Sequence, residues 1–359
     1  MNYNKKVLLL QATISLYNVP VYNIIAKNVE LTVAFTTNNE CKEAVSFKII
    51  KLKYKKILGL FIIYGDFYKF CSQYDVVIFM PDLHYLSYCS LPFTRRKYKV
   101  IAWTIGIRAS YTRRYNVNRK KDLVDKLYGK ILNKSDAIIF YMKTPIEYWG
   151  NSINRDKVFI AHNTVEVLPI KIDKDQEKNT ILFVGTLYKE KKIYELINAF
   201  IEAKSNCNTD KFLSMDIIGK GEEYANIKKI IQQRGLSDSI FLRGPIYDED
   251  ELSKYFSRSL LCISPDQAGL SVLKSMGYGV PYVSKTNAFT GGERFNIIDK
   301  ENGLLYNTHE ELVFIIQDAY KNPEKYIALG INASEYYNSN TTIKHMANGF
   351  IDAINYVLT

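Results

Sequence analysis

Residues 264–284 read Ser264-Pro-Asp-Gln-Ala-Gly-Leu-Ser-Val-Leu-Lys-Ser-Met-Gly-Tyr-Gly-Val-Pro-Tyr-Val-Ser284. The apolar residues 260–264 predict a strand, and residues 270–276 predict a short helix that ends before Gly279 and Pro281. A second strand follows at once. A helix that starts directly after a strand presents free backbone N–H groups and a partial positive charge, which suits a phosphate. This stretch therefore predicts an α/β fold with an anion site at a strand-to-helix turn.

Strand and helix patterns alternate through both halves of the chain, which favours parallel sheets. The predicted strands are 6–11, 30–36, 75–80, 99–103, 136–141, 181–184, 214–219, 240–243, 260–264 and 281–284. The predicted helices are 57–70, 119–133, 145–149, 192–203, 222–233, 248–257, 270–276, 310–320, 323–337 and 342–358. Pro169 and a charged run interrupt the pattern, as is typical of a linker. We predict a first domain over residues 1–163, a linker over 164–180, a second domain over 181–340 and a final helix over 341–359.

The positive charge is confined to the first half of the chain. Residues 1–160 contain 26 Lys and Arg against 11 Asp and Glu, a balance of +15, whereas the whole chain carries +11. Residues 95–121 contain ten basic residues and no acidic one, and residues 48–56 add five lysines. Such a field attracts anionic lipid, phosphate-bearing acceptors or nucleic acid, although a charge run is also typical of a solvated face.

Several protein classes are disfavoured by composition. No apolar run reaches the ~18 residues of a membrane span, and residues 7–10 are too few for the core of a signal peptide. The five cysteines are widely spaced and form no C-x-x-C pair, which indicates neither a zinc site nor a disulfide framework. We therefore expect a cytoplasmic protein with reduced cysteines.

The stretch 264–284 resembles the donor-site signature of the retaining family 4 glycosyltransferases. Asp266 matches the first acid of that signature, and three further matches are Gly269-Leu270, Ser275-Met276 and Gly279-Val-Pro281. The second acid is replaced by Lys274. The resemblance implies a GT-B fold, in which two Rossmann-like domains with parallel sheets face an interdomain cleft and the last helix crosses back to the first domain. It also implies that Asp266 holds sugar hydroxyls, although Asp at this position is also typical of a helix N-cap.

A second element, residues 180–200, resembles the family's strand, Gly-Arg loop, Lys-Gly and helix. Lys191 matches the lysine that neutralises the donor diphosphate, and Gly185 ends the strand. The arginine position is Thr186 here, and Lys189 is the candidate to replace its charge. A glycine followed by lysines is also common at any βα turn. The backbone of Gly269, Leu270 and Ser271 is expected to meet the same diphosphate.

The nucleoside contacts are less clear from the sequence. The family's second acid accepts hydrogen bonds from the ribose, and Lys274 is donor-only, so it would contact ribose oxygens or phosphates instead. Glu293, after Gly291-Gly292, is the candidate replacement acid, with an exposed loop carboxylate as the alternative. Arg243, at the end of a strand, is expected beside the base.

In the first domain, His84 follows the predicted strand 75–80 and is the candidate for a catalytic or sugar-binding role, against a purely structural one. The apolar and aromatic residues 57–70, predicted as a helix, would either join the core or dock with the lysines on an anionic bilayer.

Together these features predict a metal-independent glycosyltransferase that needs no cofactor and moves a sugar, with retention, from a nucleotide-sugar donor to a saccharide acceptor. A UDP-sugar is favoured as the donor. The acceptor is expected to be lipid-linked, at the inner face of a bacterial cell membrane, in surface polysaccharide synthesis. Two alternatives stay open. One is a GT-B protein that binds a nucleotide but transfers little or no sugar, and the other is a basic nucleic-acid-binding protein, which the lack of a nucleic-acid motif disfavours.

Overall fold

The computed structural model describes residues 5–41, 44–108, 114–168, 177–207 and 212–359, and the chain divides into two compact units. The first unit consists of Met1–Arg108, Asn116–Glu166 and Thr341–Thr359, and the second of Ala109–Tyr115 and Val167–Asn340. Each unit has a parallel sheet with helices. The predicted pair of Rossmann-like domains is therefore confirmed. Of the predicted linker, Pro169 and the charged residues 171–175 lie outside the described residues, whereas Glu177 and Lys178 lie within them.

The strands of the first unit are β1 (Lys6–Ile14), β2 (Glu30–Asn39), β3 (Lys48–Lys51), β4 (Tyr54–Ile57), β5 (Leu60–Ile63), β6 (Val76–Phe79), β7 (Lys99–Thr104), β8 (Ala137–Phe140) and β9 (Val158–Ile160). Seven of the described strands form a parallel sheet in the order β3-β2-β1-β6-β7-β8-β9. The apolar run Val7–Leu10 of β1 is fully buried at the centre of this sheet, as its sequence predicts.

The helices before the linker are α1 (Val19–Ala26), α2 (Phe67–Cys71), α3 (Leu86–Ser90), α4 (Leu123–Lys134) and α5 (Thr144–Trp149). The helix predicted from residue 119 begins at Leu123, because Asp122 caps it. The Asp122 carboxylate accepts a hydrogen bond from the backbone N–H of Asp125, and the Asp125 carboxylate accepts one from the backbone N–H of Asp122. This reciprocal capping box fixes the start of the helix.

Residues 57–70 do not form the predicted helix. Strands β4 and β5 pair as an antiparallel hairpin, with Ile57 opposite Leu60, and α2 covers only Phe67–Cys71. The connecting residues Leu58 and Gly59 both have left-handed φ, at 49° and 83°. Two consecutive residues with positive φ make the tight hairpin turn that matches strand twist. The isoleucines on either side favour strand over helix for the same run of apolar residues.

The strands of the second unit are β10 (Thr180–Val184), β11 (Ser214–Ile218), β12 (Ile240–Gly244), β13 (Ser259–Ile263), β14 (Tyr282–Lys285) and β15 (Gly303–Tyr306). They pair in parallel in the order β12-β11-β10-β13-β14-β15. The helices are α6 (Ile193–Ser205), α7 (Tyr224–Gln233), α8 (Glu249–Ser257), α9 (Ser271–Gly277), α10 (His309–Lys321) and α11 (Pro323–Tyr336). All the strands and helices predicted in this half are present, and β15 is additional.

The last helix, α12 (Ile343–Leu358), belongs to the first unit, as predicted for the crossing C-terminal helix. It packs against α1 and strands β7 to β9. Gly349 permits the close approach, because a Cβ at that position would lie 2.2 Å from the backbone oxygen of Ile160. Among the described residues, no helix combines the length and the apolar character that crossing a bilayer requires.

Candidate functional site

The sheet of the second unit has a topological switch point between β10 and β13. From β10 the chain adds β11 and β12 on one side, and it then returns to add β13 and the later strands on the other. The loops after β10 and β13 therefore diverge at the carboxyl end of the sheet, where open α/β sheets bind their ligands. These loops are residues 185–192 and 264–270. The topology thus brings the two predicted motifs to the same edge of one sheet.

Lys191 is buried at the end of a 3₁₀ turn, Lys189–Lys191, with 7% of its surface exposed. Burial lowers its pKa to about 8, and the fields of Cys262 and Glu293 raise it in part. No carboxylate among the described residues forms an ion pair with its ammonium group within 4.0 Å. Gly185 lies next to it, since a Cβ there would stand 3.5 Å from Lys191 Nζ, an ordinary contact distance. A buried ammonium that forms no direct ion pair is poised to bind an anion.

Asp266 lies between two cations, with 1% of its surface exposed. Arg114 Nη2 is 3.0 Å from both carboxylate oxygens, and Lys192 Nζ is 3.0 Å from Oδ2. The alternative role of Asp266 as a helix cap is wrong, because the N-cap of α9 is Leu270, without a side-chain cap bond. The carboxylate is therefore fixed by charge pairing at the switch point.

Arg114 reaches Asp266 across 152 positions of sequence. It belongs to a segment, Ala109–Tyr115, that clusters with the second unit although the chain before and after it belongs to the first. Its guanidinium also donates to the backbone carbonyl of Asn287 and lies 4.0 Å from the ring centroid of Phe289. One residue of the basic stretch 95–121 is thus engaged inside the second unit, and residues 109–113 of that stretch lie outside the described part of the chain.

The three backbone positions predicted to meet a diphosphate lie together where the loop after β13 enters α9. A Cβ at Gly269 would meet no described atom within 4 Å, so the backbone is open to a close approach there. Leu270 caps α9 and Ser271 begins it, with Ser271 Oγ 2.9 Å from Tyr282 Oη. The chain around Gly269 is therefore the most accessible backbone in this loop for a ligand.

Lys274 is held by an acid that the sequence did not single out. Its ammonium forms an ion pair with Glu249 Oε1, and Tyr278 Oη donates to Glu249 Oε2 at 3.1 Å. Glu249 is the first residue of α8, whereas Lys274 is in α9. The Lys274 ammonium, which was expected to contact ribose or phosphate oxygens, is thus already paired with Glu249. That pairing places the Glu249 carboxylate next to position 274.

Glu293 is not the exposed loop carboxylate considered as its alternative role, because 5% of its surface is exposed. Its Oε2 accepts hydrogen bonds from Thr290 Oγ1 at 3.1 Å and from the backbone N–H of Gly291 at 3.0 Å. These bonds brace the loop after β14. The carboxylate also raises the pKa of Lys191, so its charge is felt at the switch point.

Arg243 is engaged at the carboxyl end of β12. Its Nε lies 2.6 Å from Asp216 Oδ1, and Arg258 pairs with the other oxygen of the same carboxylate at 2.6 Å. The guanidinium also lies 4.4 Å from the ring centroid of Phe241. These contacts describe a structural ion pair, and contact of Arg243 with a base stays a prediction.

The Gly-x-Gly of residues 219–221 has a packing role. A Cβ at Gly219 would lie 1.9 Å from the backbone oxygen of Gly185, and one at Gly221 would lie 2.2 Å from that of Leu187. The backbone N–H of Leu187 donates to the carbonyl of Lys220 at 2.8 Å. The two glycines therefore let the loop after β11 support the loop that carries Lys191.

The remaining loop positions differ in burial. Thr186 and Lys189 are both exposed. Hydrogen bonds from Tyr194 and Asn226 lower the pKa of Glu223, and the charge of Lys189 lowers it further. Lys189 is therefore close enough to Glu223 for their charges to interact. The replacement of an arginine by Lys189 stays a prediction.

His84 belongs to the first unit, at the corresponding switch point between β1 and β6. Its Nδ1 lies 2.7 Å from Asp82 Oδ1, and its side chain is 70% exposed. Its backbone carbonyl accepts a hydrogen bond from the N–H of Phe61 in β5. The position suits a ligand contact, and the catalytic role stays a prediction.

Three cations of the second unit were missed by sequence reasoning. Arg114 and Lys192 hold Asp266, and Arg294 lies in the loop next to Glu293. Burial lowers the pKa of Arg294, and none of the described carboxylates pairs with it within 4.0 Å. Lys192 follows the matched Lys191 directly, so the charge density of residues 189–192 was its signal. Within the described residues, no cluster of three His, Cys, Asp or Glu could hold a metal ion.

Comparison with known proteins adds a family to this geometry. Residues 133–336 match the family model described as glycosyl transferases group 1. The chain is 26% identical over 223 residues to an uncharacterized glycosyltransferase of Haemophilus influenzae, covering 60% of this chain and 61% of that protein. It is 25% identical over 230 residues to a poly(glycerol-phosphate) alpha-glucosyltransferase of Bacillus subtilis, covering 58% and 32%. The chain thus spans between about one third and three fifths of the length of these curated relatives.

Solved structures resemble the whole chain. Anabaena Alr3699/HepE, solved in complex with UDP, superposes with a TM-score of 0.69 at 14% identity, covering 98% of this chain and 99% of that one. At this identity the likeness concerns the fold, which is that of the GT-B glycosyltransferases.

Proposed function

The chain belongs to the group 1 glycosyl transferases, and on that premise we propose that it moves a sugar from a nucleotide-sugar donor to a saccharide acceptor. One observation carries the proposal. Lys191 is a buried ammonium that forms no ion pair within 4.0 Å with a described carboxylate, and the topology brings its loop to the same sheet edge as the open backbone at Gly269. A donor diphosphate would supply the direct ion pair that this lysine lacks. We favour a UDP-sugar, since a structural relative was solved with UDP.

The proposed chemistry is electrostatic stabilisation of the departing nucleoside diphosphate. As the bond between the sugar and the phosphate breaks, negative charge grows on the phosphate oxygen, and Lys191 is proposed to neutralise that charge. The open amides near Gly269 offer further hydrogen bonds. Retention of the anomeric configuration and independence from metal follow from the resemblance to family 4 and belong to the proposal.

Asp266 is proposed to hold hydroxyls of the transferred sugar. Arg114 and Lys192 fix the orientation of its carboxylate, and each of its oxygens has further lone pairs for a sugar hydroxyl. Lys192 and Arg294 are candidates for the charge that Thr186 does not supply. Glu293 then acts by bracing its loop and by its field at Lys191.

Glu249 is proposed as the acid that accepts hydrogen bonds from the ribose hydroxyls, in place of the acid that the family carries at position 274. The ion pair with Lys274 and the hydrogen bond from Tyr278 orient it. Its side chain keeps 36% exposure, which leaves acceptor sites open. The exchange moves the carboxylate from α9 to α8 while keeping it beside α9.

The acceptor is proposed to be a lipid-linked saccharide at the inner face of the cell membrane, in surface polysaccharide synthesis. The concentration of positive charge in residues 1–160 favours an anionic surface next to the first unit. The Bacillus relative is named for poly(glycerol-phosphate), an anionic polymer. We propose no nucleic-acid partner.

The proposal is tested by measuring thermal unfolding with a panel of UDP- and GDP-sugars, followed by transfer assays with the donor that stabilises most. A ligand at 100 times its Kd raises stability by ~2.7 kcal/mol. Lys191→Ala should abolish this stabilisation and transfer, and EDTA should affect neither. A donor that stabilises Lys191→Ala as much as the unchanged protein would refute the site. Activity lost in EDTA and restored by Mn²⁺ would refute the metal-independent mechanism.

A second function, nucleotide binding with little transfer, is favoured by the pairing of Lys274 with Glu249, because that ammonium is engaged before any ligand arrives. Release of free sugar or of glycosylated acceptor from a bound donor decides between the two. Nucleotide binding without either product over long incubation supports the binding protein.

A further inference from the structure

The β4–β5 hairpin of the first unit places an apolar residue at its tip against the preference of the backbone. Leu58 has a φ of 49°, a left-handed conformation that branched apolar residues rarely adopt and that Asn or Gly favours in such turns. Its surface is 98% exposed, so no packing compensates for the strained conformation. An exposed leucine kept at a strained turn points to a contact outside the described chain.

One face of the hairpin is fixed to the first unit. The Phe61 ring stacks on Tyr85 with centroids 4.5 Å apart, and its backbone N–H donates to the carbonyl of His84 at 2.6 Å. The backbone N–H of Ile63 donates to Ser87 Oγ at 2.9 Å. The hairpin is therefore anchored, and its orientation is set by α3 and the loop before it.

The opposite face carries exposed apolar side chains, together with Lys55, which pairs with Ile62. Side chains alternate along a strand, so Ile57, Leu60 and Ile62 share the face that does not contact Tyr85. Ile57 is 52% exposed and Ile62 is 37% exposed. With Leu58 they form a continuous apolar tip, hereafter the hairpin tip, defined as Ile57, Leu58, Leu60 and Ile62. An exposed sheet face of this kind is an aggregation hazard unless a partner covers it.

Lysines flank the hairpin tip along the chain. Residues 48–69 contain six lysines and a single acid, Asp66. Lys53, Lys55 and Lys56 are exposed within or next to β4. Tyr64 and Tyr68, 49% and 48% exposed, lie just beyond β5. The apolar turn is followed along the hairpin by Lys55 and Lys56 and, at its base, by Lys53 and Tyr64, which is the side-chain order of a bilayer interface from hydrocarbon to anionic headgroups.

We propose that the hairpin tip inserts into an anionic lipid bilayer, with the flanking lysines at the headgroups. This inference deepens the membrane-side acceptor of the proposed function and relies on it only for the choice of a bilayer as partner. Binding through a diffuse basic patch would not depend on any single apolar residue, whereas binding through the hairpin tip depends on Leu58.

The test is flotation of the full-length protein with phosphatidylcholine vesicles, with and without phosphatidylglycerol, in the absence of donor and acceptor. Binding is expected only to the anionic vesicles and should weaken with salt. Leu58→Asp should lower the partition coefficient more than tenfold. Lys55→Gln and Lys56→Gln should each lower it about fivefold. The matched control is Leu123→Asp, a leucine 79% exposed at the start of α4, which should bind as the unchanged protein does.

Leu58→Asn separates the inference from a structural role of the turn. Asn suits the left-handed turn, so this variant should unfold at the same or a higher temperature and still lose vesicle binding. Equal binding by Leu58→Asn and the unchanged protein overturns the proposal. Dimer formation in solution through the hairpin tip would also overturn it. So would binding to duplex DNA that is unchanged in Leu58→Asp and that vesicles do not compete with. Loss of sugar transfer with intact vesicle binding would count against the proposed function alone.

Discussion

Replacing Lys191 by Met should make the protein more stable and remove its ability to bind the donor. Burial lowers the pKa of Lys191 from 10.5 to about 8, which corresponds to ~3 kcal/mol of disfavoured charge in the folded state. Methionine fills nearly the same volume and carries no charge to desolvate. The gain at pH 7 is therefore up to ~3 kcal/mol, which for a unit of this size is roughly 6 °C or more in Tm.

The assay compares chemical unfolding of the unchanged protein and the variant at pH 7, with and without UDP. Both tryptophans, Trp103 and Trp149, are buried in the first unit, so their fluorescence reports on that unit, whereas circular dichroism reports on both. Saturating UDP should stabilise the unchanged protein by ~2.7 kcal/mol at 100 times its Kd and leave Lys191→Met unaffected. The matched control is Lys229→Met, an exposed lysine of α7, which should change neither quantity.

The same pKa gives the direction of the pH dependence. In the folded protein without ligand, Lys191 loses its proton as the pH rises through about 8, whereas in the unfolded chain it does so near 10.5. The unfolded state therefore binds more protons in this window, and stability rises with pH while affinity for UDP falls. Lys191→Arg should not show the fall in affinity. The proposed role of Lys191 as a buried charge that binds phosphate would be refuted if Lys191→Met unfolds at a lower denaturant concentration than the unchanged protein. It would also be refuted if UDP stabilises the two proteins equally.

Glu249→Gln should raise the donor KM about tenfold or more with a smaller effect on kcat, because the ribose contact is the same in ground and transition states; Glu251→Gln on the same helix is the control, and equal KM values for the two variants would reject the ribose role. Arg114→Ala should destabilise the second unit by ~2 kcal/mol, measured by urea unfolding, since it removes a charged hydrogen-bond partner from the buried Asp266; unchanged stability would show that the pair contributes nothing. Burial, aided by two nearby cations, lowers the pKa of His162 to about 4, so the first unit should lose up to ~3 kcal/mol of stability as the pH falls from 6.5 to 4; His162→Gln should lack this slope, and parallel pH profiles would contradict the assignment.

The strands and helices of the second unit were largely predictable from its sequence, because its strands are short apolar runs bounded by Gly and charged residues. Strands β10, β11, β13 and β14 are buried on both faces over most of their length, so the run itself is the signal. The hairpin at 54–63 does not follow from its apolar residues in the same way. Those residues are as dense as in a buried helix, and the hairpin instead depends on the positive φ of Leu58 and Gly59 and on the β-branched isoleucines that flank the turn.

The site was predictable to the extent that its residues are local in sequence. Lys191, Gly269 and Asp266 lie in two loops that a switch-point topology must bring together. Arg114 was not predictable, because it lies in a segment that belongs to the second unit while its neighbours in sequence belong to the first, and it pairs with an acid 152 residues later. No local sequence pattern indicates such a contact. Arg114 is one of ten basic residues in 95–121, and the whole stretch was interpreted as a charged surface.

The exchange at position 274 shows why a missing motif residue is weak evidence of a lost activity. A motif specifies which residue type stands at a position, whereas a ligand meets only the atoms that reach it. Here a lysine replaces the acid and holds Glu249 from the neighbouring helix, so one carboxylate still stands beside α9. The local charge changes by the added ammonium, from one negative charge to a neutral pair. We therefore expect Lys274→Ala to weaken donor binding less than Glu249→Gln does. Removing the lysine leaves the Glu249 carboxylate free to accept hydrogen bonds, whereas removing the carboxylate leaves the Lys274 ammonium unpaired. The opposite ranking of the two KM values would mean that the lysine itself contacts the nucleotide.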